Sequence, residues 1–205
     1  MTAPRSSRFG AASGAVFAIV LFVASGSGNA AYLAPRAVAG LAALALFVPF
    51  LAYLCSVLRA AEGDDGWLAT TALVAGTVGI TVKIVSTAPA LALHRAHIAD
   101  GTQLHRLFDA LDGGATVIAL YPLAIACAAI AATALRTAAL PRWLAVGAAL
   151  TALALAVNGA FLEASFVPAL LLFIAWTLAA SIHLSRRAWR VPSRVMGGVE
   201  AVSGI

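Results

Sequence analysis

Residues 41–86 read LAALALFVPFLAYLCSVLRAAEGDDGWLATTALVAGTVGITVKIVS. Two apolar runs flank a short charged corner, and that layout decides the fold class. A helix needs about 20 mostly apolar residues to cross a bilayer. The run before Arg59 and the run after Gly66 both reach that length, and the corner EGDD is too polar to be buried between them. This is a helical hairpin, with Trp67 at the edge where aromatic side chains favour the membrane–water interface.

The same reading extends outward. The 205-residue chain is 62% hydrophobic and only 10% charged. Its mean hydropathy is +0.99. A soluble domain is nearer half apolar and one quarter charged, so lipid must cover much of this surface. Six spans are expected, at about 9–26, 37–58, 67–91, 113–135, 143–162 and 166–184. The fold class is therefore all-α, a polytopic membrane bundle over 9–184. A short N-terminus (1–8) precedes it and a basic tail (185–205) follows. The layout MTAPRSSRF, apolar core, GNA before Ala31 also fits a signal peptide with small residues at a cleavage site. The reading adopted keeps this segment as the first helix, whose Gly10 and Gly14 offer a close-packing face.

Arginine placement sets the orientation. With the N-terminus inside, Arg5, Arg8, Arg59, Arg136, Arg142, Arg186, Arg187, Arg190 and Arg194 lie on the inner side. Arg36, Arg95 and Arg106 lie outside. An N-in, C-in topology follows. The net charge of +5 is thus a topology signal and does not imply nucleic acid. The tail SRRAWRVPSR (185–194) is expected to lie on anionic lipid. Pro49 and Pro122 fall inside spans and should kink them.

The loop HRAHIADGTQLHRLFDALDGG (94–114) carries Leu104, Leu107, Phe108 and Leu111 at helical spacing, which predicts an outer interfacial helix over about 102–112. His94, His97 and His105, with Asp100 or Asp109, contain enough donors for zinc or copper, but their spacing matches no metal signature, so no metal site is assigned. Cys55 and Cys127 sit in apolar runs without metal-ligand spacing and read as small buried hydrophobes. GxxxxGK[ST], GxSxG, HExxH and CxxC are all absent from the sequence. No catalytic residue and no cofactor are expected. The three carboxylates of AEGDDG (61–66) read as a solvated turn.

Lys83 is the anomaly. It lies within a span, and intramembrane ammonium groups face the bundle interior or a wet cavity and usually pair. Counting 1.5 Å per residue, it sits on the order of 12 Å below the outer end of its helix. The polar residues expected near that level are Ser86, Asp112, Tyr121, Asn158 and Glu163. The expectation is an ion pair to Asp112 or Glu163, with Asn158, Tyr121 and Ser86 completing the hydrogen bonds. The residues admit three readings: outward snorkelling of the lysine, a structural pair, or the wall of an outward-facing polar pocket for a small anion or proton.

Three stretches carry a family likeness: LRTAALPRWLAVGAAL (135–150), LRAAEGDDGWLATTALVAG (58–76) and LFDALDGGATVIALYPLAIA (107–126). Over about 37–184 the chain resembles a family of multi-span membrane proteins of high-GC actinobacteria that carry a domain of unknown function. The Leu140–Leu144 corner is the most recognisable part. The resemblance implies a six-helix bundle of the cytoplasmic membrane and no catalytic residue. The function expected is that of a non-enzymatic accessory or regulatory bundle. It would meet lipid and a membrane-protein partner or a second copy, with a small transporter or ligand-binding protein as the alternative.

Overall fold

The computed structural model describes residues 5–25, 33–95, 102–161 and 167–189, and all regular structure in them is α-helical. The helices are α1 (Arg5–Ser25), α2 (Leu33–Glu62), α3 (Trp67–Ser86), α4 (Ala88–Arg95), α5 (Gln103–Thr137), α6 (Arg142–Ala160) and α7 (Val167–Trp189). Among the described residues, five stretches are long and apolar enough to cross a membrane: Val38–Glu62, Trp67–Ser86, Gln103–Thr137, Arg142–Ala160 and Pro168–Arg187. α1 supplies a shorter apolar stretch, Arg8–Val23. Helices satisfy their main-chain groups internally, as a chain facing lipid requires.

Each long helix packs on the next long helix in sequence, and α7 returns to α1. The six therefore form a closed ring, with α2 also touching α5 across the middle. The short corners at 63–66 and 138–141 impose part of this order, because helices joined by a few residues must lie side by side. At the seam of α1, α2 and α7, Phe47 is the hub of an aromatic cluster. Its ring centroid lies 4.8 Å from Phe17, 5.8 Å from Phe50 and 5.5 Å from Phe173. Such shape-matched packing matters because lipid gives apolar helices no hydrophobic reason to associate.

Glycines set the closest approaches. A methyl group built on Gly10 would lie 2.7 Å from Tyr53 Cβ, and one on Gly14 would overlap the Phe50 ring, so the glycine face of α1 meets α2 directly. A methyl on Gly79 would lie 2.8 Å from Leu123 Cγ and 3.1 Å from the Ala119 carbonyl. α3 and α5 are thus in near backbone contact there.

Two elements differ from the sequence reading. The third span does not run unbroken over 67–91: α3 stops at Ser86 and α4 begins at Ala88. Pro89 has no N–H for the Val85 carbonyl and its ring crowds that carbonyl, so the helix tightens and breaks before it. The Thr87 N–H turns instead to the Ile84 carbonyl, 3.2 Å away. Conversely, the separate interfacial helix expected over 102–112 is the first part of α5, which continues through Gly113 and Gly114 to Thr137. Thr102 caps it by accepting the His105 N–H at 3.2 Å. A helical glycine costs only about 1 kcal/mol, and contacts to α3 on both sides of the pair offset it. Both α2 and α5 run on through Pro49 and Pro122.

The carboxylates at 61–66 are not all solvated. Glu62 accepts the backbone N–H groups of Leu68 (3.2 Å) and Ala69 (3.1 Å), so it caps the next helix from the end of its own. Gly66, with φ 47°, makes the turn that permits this. Replacing Glu62 with alanine strips two first-turn donors of a charged acceptor. Thermal unfolding in detergent should show a loss of about 1–2 kcal/mol, with glutamine intermediate.

Candidate functional site

The polar cluster lies on the α3–α5 seam. Lys83 and Ser86 are three residues apart on α3, and Asp112 and Thr116 four apart on α5, so each pair shares one helix face. The antiparallel seam brings the faces together. Lys83 Nζ donates to Asp112 Oδ1 at 2.8 Å and to Thr116 Oγ1 at 2.8 Å. Thr116 in turn donates to its own helix, at the Asp112 carbonyl, 2.8 Å away. Ser86 Oγ lies 2.7 Å from Asp112 Oδ1 and 2.9 Å from the Lys83 carbonyl, so its proton serves one acceptor or the other. Ser86 is buried. The charged pair is less so, with side chains 28% exposed for Lys83 and 40% for Asp112.

Of the two anionic partners expected for Lys83, the structure brings Asp112 to it; Glu163 lies outside the described residues. Thr116 was not anticipated, although its position four residues after Asp112 was the available signal. Tyr121 and Asn158 do not complete the cluster. Tyr121 is nine residues beyond Asp112, which on a helix is half a turn out of phase and on the order of 13 Å along the axis. Its ring therefore faces α6, where a methyl on Gly159 would lie 3.2 Å from it. The adjacent Asn158 is buried, and its Oδ1 has no hydrogen-bond partner among the described residues.

Only some of the candidate metal donors of residues 94–114 fall among the described residues. His97 and Asp100 lie outside the described residues, His94 is in α4, and His105 and Asp109 are in the first turns of α5. Among the described residues, no group of three or more His, Cys, Asp or Glu side chains is placed to hold a metal ion. Cys55 and Cys127 are buried free thiols.

The cluster can do two kinds of work. It can tie α3 to α5, because the ammonium, two hydroxyls and a carboxylate satisfy one another across the seam. It can also exchange, since a partly exposed pair lets a small anion compete for Lys83 or a cation for Asp112. Comparison with family models, curated proteins and solved structures finds no match for this chain.

Proposed function

We propose that the chain is a non-enzymatic accessory or regulatory bundle of the bacterial cytoplasmic membrane, crossing it six times with both ends inside. It works through contacts with lipid and with a membrane-protein partner or a second copy, and it uses no cofactor. The actinobacterial likeness is part of this proposal. The observation that carries it is the cross-bonding of Lys83, Asp112, Ser86 and Thr116, which makes the one ammonium within a span a clamp between two helices. Around the ring, Ile19, Phe22, Val74, Ile118, Ile125 and Leu153 are exposed, as a lipid-facing surface requires.

The second reading is a small transporter or binding protein with a polar pocket at Lys83, favoured by the residual exposure of Asp112. Thr116→Cys separates the two while keeping the ion pair, in a background of Cys55→Ala and Cys127→Ala. Intact cells are treated with a membrane-impermeant thiol reagent, with Thr102→Cys as the labelled control. The clamp reading expects Thr116→Cys to stay unlabelled. Labelling comparable to the control would replace it with the pocket reading.

A further inference from the structure

The sequence treats the two inner corners alike, with an arginine closing a helix and Trp-Leu-Ala opening the next. The structure makes them different. At the first, Glu62 brings a carboxylate to the start of α3. At the second, α6 starts with Pro141 as its cap, which offers no side-chain hydrogen bond, and its first turn contains no acidic residue. A groove of about 660 Å³ opens here instead, between the Ala138–Arg142 corner and His183, Arg186 and Arg187 of α7. Every ionisable side chain lining it is basic.

This arrangement crowds like charges. Three guanidinium groups share one concavity, and Arg142 stands at the positive end of the α6 dipole, where a cation is disfavoured. Arg187 is held there: its Nη1 donates to the Ala139 carbonyl at 3.1 Å, across the corner. The guanidinium groups of Arg142 and Arg186 and the imidazole of His183 line the same groove, so their donors can converge on one guest. A guanidinium fork matches the oxygens of a phosphate. The volume falls within the range of small-ligand sites, which runs from about 300 to 1,000 Å³.

We propose that this groove binds a phosphate-bearing anion through Arg142, Arg186, Arg187 and His183, supplying the negative charge that Glu62 supplies at the other corner. Two sources carry that group: the headgroup of an anionic phospholipid and a soluble phosphate. The site does not depend on the Lys83 cluster, which belongs to a different seam.

The test uses the full chain purified in neutral detergent. Phosphatidylglycerol, phosphatidylcholine and inorganic phosphate are added separately. Binding is read by the shift in unfolding temperature and by native mass spectrometry. Arg142→Gln and Arg186→Gln are compared with Arg59→Gln, an arginine of the first corner. Arg187 is left intact because its bond to Ala139 also serves the fold. Each groove variant should weaken phosphate-group binding about fivefold, as expected for one interfacial basic residue, and Arg59→Gln should not. Selective retention of phosphatidylglycerol, unaffected by millimolar inorganic phosphate, assigns the site to a lipid headgroup. A response to inorganic phosphate alone assigns it to a soluble ligand. Equal phosphatidylglycerol binding by wild type and both groove variants would show only diffuse surface charge and overturn the proposal. Absence of any binding would overturn it as well.

Discussion

Replacing Asp112 with leucine should destabilise the bundle more than any other single change at the polar cluster. The substitution leaves the Lys83 ammonium without its anion and removes an acceptor of Ser86, which is buried. Stripping one partner from a fully buried pair costs about 3–5 kcal/mol. Here Lys83 is 28% exposed, and its four-methylene stem lets the ammonium turn outward, so the expected loss is about 2 kcal/mol. Lys83→Met should cost less, because Asp112 keeps the Ser86 hydroxyl and its carboxylate is partly exposed. The double variant Lys83→Met/Asp112→Leu removes both charges together and should return to within about 1 kcal/mol of wild type. Unfolding of all four proteins in one detergent completes the cycle. Simple additivity of the two single losses would mean that the charges do not stabilise each other, and the clamp would be abandoned.

Gly79→Leu should match or exceed that loss through packing alone. Its first methylene would meet Leu123 Cγ at 2.8 Å and the Ala119 carbonyl at 3.1 Å. A side-chain tip can move aside. A helix carbonyl cannot, so α3 and α5 must separate. Overpacking of this kind costs about 1–3 kcal/mol, and the seam cannot recover by hydrophobic collapse in lipid. Lys83 lies four residues along the same face of α3, so the separation also stretches its pair with Asp112. The losses from Gly79→Leu and Asp112→Leu should therefore be less than additive. Gly40→Leu is the control: its α2 site has nothing within 4 Å, and the gain in helix propensity should leave stability equal or up to about 1 kcal/mol higher. Equal losses at both glycines would attribute the effect to side-chain bulk in general rather than to the α3–α5 contact.

Much of the architecture is local, and so legible in the chain. Apolar runs of spanning length mark the long helices, and EGDD and LPR mark two of the corners. The break at Thr87 was also written locally, in Pro89, whose missing N–H has the same consequence wherever it stands. Thr116 could have been found from its spacing to Asp112. The continuity of α5 through Gly113 and Gly114 could not, because it depends on contacts with α3 that compensate weak local propensity.

What the sequence determined by itself was the all-helical membrane class, the approximate spans and the presence of one ammonium group in need of a partner. These follow from hydropathy, length and the cost of charge in lipid, which act residue by residue. Only the tertiary structure decided that Asp112 meets Lys83, that Tyr121 faces α6 instead, and that the corner before α3 carries its own carboxylate while the corner before α6 opens into a basic groove. The reason is azimuthal. A helix that is apolar all round has no polar stripe to say which face turns inward, so its rotation is set by where glycines let a neighbouring backbone approach. Each polar partnership follows from that rotation.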